Sequence, residues 1–368
     1  MKTRIRISQE ELFFAIVQSM IGVGVLALPY HAAQTAGSDG WITVLLFGMS
    51  LQLFVLLFWL LHRQFPNQTL FDFSTLVLGK PLGKLLHIAY ILYFLIIVSY
   101  IFNIMNDILI RWILPETPQW IMLLMAVTLL IYGCVGTIKN IIAVYSFVFL
   151  FILSLCVISL MTFLDPIIDI RYLFPIASAG WRDILFGTGH ILTAYIGFET
   201  LLIYLAFIKK PESLSSIKGA SIAVLFVTLF YTVIVLISMM IFSPTEIQII
   251  PEPVLYMLRT ISVTVIQRWD LIFLTIWTTV VATTALSYGF LGSMGIGKLF
   301  QMKHRKAVVI AGMLVFLFSF LMHKYIDMEG LKLVIRGLHI AFGMTFPILL
   351  LIITVIFKRG VASIEKEN

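Results

Sequence analysis

Nine stretches of this chain contain no Asp, Glu, Lys or Arg, and each is 17 to 27 residues long. They cover 12–38, 40–62, 85–106, 117–138, 140–164, 219–245, 271–297, 307–323 and 337–357. A helix needs about 20 mostly apolar residues to cross the hydrocarbon of a bilayer, so each run has the length and chemistry of one crossing. A tenth stretch, 184–208, is as long and as apolar but holds one charge, Glu199. The expected fold is an all-α membrane protein with ten transmembrane helices. A β-barrel would instead show alternating segments of about 10 residues. Composition agrees, with only 12% of the 368 residues charged and 61% hydrophobic, against about 25% charged in a soluble domain. That leaves too little polar surface for a soluble fold and excludes disorder and collagen. Two cysteines are too few for a disulfide scaffold. Cys134 and Cys156 fall in the fourth and fifth spans and read as small packing residues.

The 25 Lys and Arg exceed the 18 Asp and Glu. In a soluble chain this would raise nucleic acid as a partner. Here it is a topology signal, with anionic lipid as the partner and no nucleic acid expected. Seventeen of the basic residues, from Lys2, Arg4 and Arg6 to Lys358, Arg359 and Lys366, fall on the side of the N-terminus, and eight on the other. Both termini are therefore expected in the cytoplasm, which requires an even number of spans. Glu10 and Glu11 separate the basic N-terminus from the first span. That span is too long for a signal-peptide core and is expected to be retained.

The longest hydrophilic connections are 165–183 and 246–270, both on the expected outer side. The first divides the spans into two groups of five, 12–164 and 184–357. Five is odd, so the second group enters the membrane from the opposite side, an inverted repeat of the kind found in secondary transporters. The first helix of each half carries matching interruptions. Span one reads Met20-Ile21-Gly22-Val23-Gly24-Val25-Leu26-Ala27-Leu28-Pro29, and span six reads Ala194-Tyr195-Ile196-Gly197-Phe198-Glu199-Thr200. Glycine costs about 1 kcal/mol relative to Ala inside a helix, and irregular backbone at membrane depth is tolerated where it lines a cavity or is buried in protein. Gly22, Gly24 and Gly197 therefore mark expected breaks that can hold a carboxylate, an ammonium or a cation. Close helix packing is the alternative use of the same glycines.

Glu199 is the only formal charge inside any of the ten spans. An acid at the centre of an isolated helix costs about 2.5–3.5 kcal/mol to insert. Such a residue serves as a ligand contact, a proton site or a carboxylate fixing the unwound segment, or it hydrogen-bonds a neighbouring helix for structure alone. The eighth span carries Trp277, Thr278, Thr279, Thr283, Thr284, Ser287 and Tyr288. Thr284 and Tyr288 share a helix face, and these hydroxyls either line a pocket or bind helices together. Span three contributes Ser99, Tyr100, Asn103 and Asn106. Gly289, Gly292 and Gly295 read as a packing face. His87 and His339 lie near the ends of spans three and ten, where a lone histidine reads as interfacial or packed. No Walker sequence, Cys-x-x-Cys or His-x-x-x-His is present, no metal or other cofactor is expected, and nothing supports an enzyme.

Taken together and in order, several residues resemble the spore germination permease family, the B subunits of nutrient germinant receptors. They are Gly22-x-Gly24 ending in Leu28-Pro29, Gly40-Trp41, Gly197-Phe198-Glu199, Lys209-Lys210-Pro211, and Arg268-Trp269-Asp270 leading to Trp277. The resemblance runs from about residue 7 to about residue 358. It implies the five-plus-five inverted-repeat fold of the amino acid–polyamine–organocation superfamily (LeuT-like), with helices one and six broken. It also implies a subunit of the spore inner membrane that binds a small germinant, an amino acid, and signals. Its implied partners are an A-type subunit and a C-type lipoprotein subunit. Ligand contacts in that fold come from the breaks and from helices three and eight. On this chain they point to Gly22, Gly24, Ile97, Ile196, Gly197, Thr284 and Tyr288, beside the Glu199 read from its charge. Tyr30 stands where many members place a basic residue, and Gln267 where many have Glu. The alternative function is an amino acid transporter coupled to protons or sodium. A channel gated by partner subunits is a third reading, and an enzyme ranks last.

Overall fold

The computed structural model describes residues 6–164, 167–209, 213–261 and 267–357. Lys2, Arg4, Lys210, Pro211, Lys358, Arg359 and Lys366 lie outside the described residues. Within them the chain is helical, with one isolated parallel bridge between Ile7 and Ile208. Helix α1 (Gln9–Met20) starts at a capping box: the Ser8 hydroxyl accepts from Glu11 N at 3.1 Å and the Glu11 carboxylate accepts from Ser8 N at 2.7 Å, so two backbone donors without helical partners are satisfied together. After a break the chain resumes as α2 (Leu28–Ala36), with Pro29 in its first turn, where a missing N–H removes no helical bond. Next come α3 (Gly40–Gln64), the short α4 (Leu70–Leu78), α5 (Lys80–Trp112), α6 (Gln119–Cys134) and α7 (Ile138–Met161). The second half begins with α8 (Gly180–Phe186), α9 (Thr188–Ile191) and, past a second break, α10 (Leu201–Tyr204). It continues as α11 (Lys218–Ile241), α12 (Pro253–Arg259), α13 (Trp269–Leu299), α14 (His304–Tyr325), α15 (Met328–His339) and α16 (Phe346–Ile356), the last two joined by a π-turn over Ile340–Thr345.

Seven helices among the described residues are long and apolar enough to cross a bilayer, and eight if the pair Gly180–Tyr195 and Phe198–Phe207, bent by 61°, is one span. Ten runs were expected, and the difference has local causes. The break at Gly22 leaves α1 with 12 residues, α2 runs on towards α3 through a short 3-10 turn, and α6 has only 16 residues. Reading spans as charge-free runs also misplaces ends. The charges predict that the tenth starts at Gly337, after Arg336, but its helix starts nine residues earlier at Met328. His339 is thereby well inside the helix and fully buried, not at an interface.

The bundle packs α5 along α13 and α3 along α11, and seats α1 against α7, α11 and α13. The C-terminal half of α1 is buried on every side from Ala15 to Met20. Met125, Phe147, Phe320 and Ile356 point outward from α6, α7, α14 and α16, as side chains solvated by lipid tails do. A Cβ on Gly289, Gly292 or Gly295 would stand 2.7 Å from Leu130, 2.9 Å from Leu95 or 2.6 Å from Ile91, so these glycines set the approach of α5 and α6 to α13. Ser99 and Asn103 donate to the Val315 and Ser319 carbonyls of α14 at 3.2 Å each.

Each face of the bundle is tied by specific bonds. On the face of the first described residues, Arg6 donates to the Asn67 side chain and, at 2.8 Å, to the Ile208 carbonyl. Ile7 N donates to Phe207 O at 2.9 Å, and the Gln9 amide donates to Ser216 O at 2.8 Å and accepts from Gly219 N at 2.9 Å. On the face of the long connections, the buried Asp39 carboxylate accepts from Ala177 N at 2.7 Å, Ala179 N at 3.0 Å and the Ser178 hydroxyl at 3.1 Å.

Candidate ligand site

The first break begins where Ile21 leaves the helical region, with φ −82° and ψ 97°. Gly22 follows at φ −131° and ψ −146°, and Val23–Val25 form one 3-10 turn. An ended helix leaves carbonyls without intrahelical partners, and side chains from two neighbouring helices supply them. The Thr284 hydroxyl lies 2.9 Å from Gln18 O and 2.7 Å from Ile21 O. Tyr231 donates to Met20 O at 2.9 Å, and the Trp277 indole to Gly22 O at 3.3 Å. Thr283 donates to Gln18 Oε1 at 2.7 Å, and the Gln18 amide reaches Tyr145 O at 3.1 Å. The polar face of the eighth span is thus largely committed to holding the first break open and in place.

The second break turns on Gly197, whose φ of +133° is one that L side chains rarely adopt. A Cβ there would also overlap the Ser19 carbonyl of α1. The two breaks touch directly at Gly24, whose added Cβ would stand 2.5 Å from Ala194 Cα. Gly22 is less constrained, since its Cβ would meet the Thr284 methyl at 3.3 Å.

Between the breaks lies a cavity of about 20 Å³, lined by Gly22, Val23 and Gly24, by Ile97, Tyr100 and Ile101 of α5, by Thr193, Ala194 and Ile196, and by Met20 and Thr284. That volume holds about one water molecule. Its wall carries no charged side chain. Thr193 also lines a second, much larger cavity of about 530 Å³ towards the long connections, with Tyr30, His31, Gln34, His190, Glu329, Lys332 and Arg336 on its walls. A charged vestibule therefore stands above a small, mostly apolar chamber.

Glu199 is fully buried, and its carboxylate is fully engaged. Oε1 accepts from the hydroxyls of Tyr93 at 2.6 Å and Tyr288 at 2.5 Å, and Oε2 accepts from Gly197 N at 2.9 Å. His339 Nδ1 lies 3.7 Å from Oε1 and 3.1 Å from the Tyr93 hydroxyl. Four helical segments thus meet on one carboxylate.

The structure brings Gly22, Gly24, Ile97, Ile196 and Thr284 together on the chamber wall. Gly197 packs on Ser19 and Met20 and is outside the lining, as are Glu199 and Tyr288, which pair with each other. Sequence reasoning missed Tyr93, Ile101 and Thr193, named Tyr100 only among the polar residues of span three, and read His339 as interfacial or packed. Tyr93 stands in a mostly apolar stretch whose hydroxyls, its own and that of Tyr90, carry no motif, and the charge pattern puts His339 near a helix end. Among the described residues no group of three His, Cys, Asp or Glu is placed to hold a metal ion.

Comparison with known proteins decides the family. The model of the spore germination protein family, described as spore permease, matches residues 6–328. The chain belongs to this family. Spore germination protein GerQB of Bacillus cereus is 27% identical over 321 residues, covering 86% of this chain and 87% of that protein. Spore germination protein B2 of Bacillus subtilis (strain 168) is 26% identical over 326 residues, 88% of each chain. Spore germination protein YndE of the same organism is 25% identical over 359 residues, 96% of this chain and 98% of the relative. Among solved structures, MhsT in complex with L-phenylalanine superposes with a TM-score of 0.67 at 15% identity, covering 96% of this chain and 89% of that one. A Na+-coupled sialic acid symporter in a substrate-bound outward-open state gives 0.63 at 12% identity, covering 92% and 79%. These likenesses show the LeuT-like fold for this member of the spore germination family, an integral membrane protein with permease architecture.

Proposed function

We propose that this chain is the B-type subunit of a nutrient germinant receptor, and that it binds a small germinant, an amino acid, in the chamber between the two breaks. The observation that carries this reading is the chamber itself. Both interrupted segments and one face of α5 close on a space of about 20 Å³, too small for an amino acid as it stands. Binding must therefore move the break segments apart, and a ligand shifts such an equilibrium by its differential affinity for the two states. That is the property a sensor needs. The vestibule of about 530 Å³ is the entry route. In this reading the protein sits in the spore inner membrane with both termini cytoplasmic. Residues 12–164 and 184–357 are its inverted repeats, and A-type and C-type subunits receive the signal.

The test is the germination dose–response of spores that depend on this receptor. Ile97→Ala and Ile196→Ala enlarge the chamber and are expected to change the concentration or identity of the effective amino acid, with protein level unchanged. Unaltered responses in both would sink the proposal. Uptake of labelled amino acid into vesicles bearing the purified protein, above that of protein-free vesicles, would favour the coupled transporter instead.

A further inference from the structure

The chamber uses neither His339 nor Tyr93, yet both are buried against Glu199 in a geometry suited to moving a proton. The Tyr93 hydroxyl stands between the other two, 2.6 Å from Glu199 Oε1 and 3.1 Å from His339 Nδ1. Since that hydroxyl donates to the carboxylate, its oxygen is free to accept from Nδ1–H, which sets the ring's tautomer. Nδ1 is thereby committed, and Nε2 is buried with no hydrogen-bond partner among the described residues. An unpaired buried polar atom is costly, and here it is the one atom of the cluster able to gain or lose a proton without breaking a bond to its neighbours.

The surrounding helix is shaped around this pair. Immediately after His339 the helix widens into the π-helical turn Ile340–Thr345, a feature frequent at functional sites. Gly343 in that turn leaves room for the ring, since a Cβ there would stand 3.1 Å from His339 Nδ1 and 3.7 Å from Glu199 Cβ. The Phe342 carbonyl of the turn accepts from Tyr90 at 2.8 Å, and the Phe342 ring stacks on Tyr93 at 5.0 Å. Glu329, Lys332, Arg336 and His339 follow one another at spacings of three, four and three, so they share one face of α15. The first three line the vestibule, and His339 is the next residue of that face inwards.

We propose that Glu199, Tyr93 and His339 form a membrane-embedded proton-binding relay, loaded at His339 Nε2 along the polar face of α15. A proton taken up at Nε2 makes the ring an imidazolium. The Nδ1–H bond then breaks as a new Tyr93 O–H bond forms, and the original Tyr93 O–H bond breaks as Glu199 gains the proton on Oε1. The net result is one proton moved from water to the carboxylate, with the ring left neutral in its other tautomer. The titratable groups facing the site are Tyr90 and Tyr93 from α5, Tyr288 from α13 and His339 from α15, with Arg336 one turn away. From α1 and α3 the adjoining residues Gly197 and Phe198 meet the Ser19 backbone and the rings of Phe54 and Phe58. Because Glu199 also accepts from Gly197 N, its proton state bears directly on the second break.

Infrared difference spectra of the full-length protein in lipid nanodiscs, between about pH 5 and about pH 9, test the relay. Glu199→Gln identifies the carboxyl band. The expected result is a Glu199 band that titrates within this range, with a midpoint that His339→Gln moves by about one pH unit or more. In the unsubstituted protein, labelled with 15N-histidine, the Nε2 signal of His339 is expected to change at the same midpoint. A Glu199 band that does not respond to pH, or two midpoints that differ by more than about half a unit, would overturn the proposal. Both outcomes are independent of the germinant reading, because neither measurement involves a germinant.

Discussion

Gly24 and Ala194 meet backbone to backbone where the two interrupted helices cross, and a Cβ on Gly24 would stand 2.5 Å from Ala194 Cα. This contact joins the two halves of the chain at the chamber wall.

The three break glycines are expected to differ in tolerance. Gly197→Ala meets both a disfavoured φ and the Ser19 carbonyl. A conformation of that kind alone costs about 1–3 kcal/mol. Gly24→Ala meets only Ala194, and Gly22→Ala only a methyl group. Thermal unfolding of the purified variants in detergent should rank them Gly197→Ala least stable, then Gly24→Ala, then Gly22→Ala close to the parent.

Thr284 has a role that its hydroxyl alone explains. It lies within reach of the carbonyls of both Gln18 and Ile21, and valine has the same shape without the donor. Thr284→Val should cost about 1–3 kcal/mol through unpaired carbonyls, and Thr284→Ser should recover most of it. Equal melting temperatures for valine and threonine would show that the break holds itself.

The clamp at Asp39 predicts a protease phenotype. Its carboxylate gathers Ala177 N, Ala179 N and the Ser178 hydroxyl. In Asp39→Ala the connection between the halves should be cut faster by an added protease, and a rate equal to the parent's would argue against the clamp.

On the opposite face, Lys298 Nζ lies 2.5 Å from Asp72 Oδ2 and 2.7 Å from the Thr69 hydroxyl. Burial works to raise the Asp72 carboxyl, but Lys298 and Thr69 outweigh it and hold it below its usual value of 3.8. A carboxyl lower in the folded than in the unfolded chain contributes stability that is present above the unfolded value and lost as pH falls through the folded one. Asp72→Asn should therefore lower the melting temperature at neutral pH, with the gap to the parent closing below about pH 4. Both side chains are partly exposed, so the effect should be small and should shrink in high salt.

Much of this architecture was legible in the residues. Charge-free runs located the helices, and the glycines at 22, 24 and 197 located the breaks, because backbone requirements leave local marks. The chamber wall was half legible. Ile97 and Ile196 came with a family resemblance and Tyr100 with the polar residues of span three, whereas Ile101 and Thr193 are ordinary residues made special by where the helices meet. The surroundings of Glu199 were illegible for a sharper reason. Its partners Tyr93 and His339 stand 106 and 140 positions away along the chain, and Arg336, which the charge pattern places just outside a span, lies within a helix and lines the vestibule of about 530 Å³.

The pairing of Ile7 with Ile208 has a practical consequence. The first described residues are stitched to the last turn of the broken sixth helix, so a load applied there is delivered to that half-helix. A bulky fusion partner placed there would act as a lever on the second break.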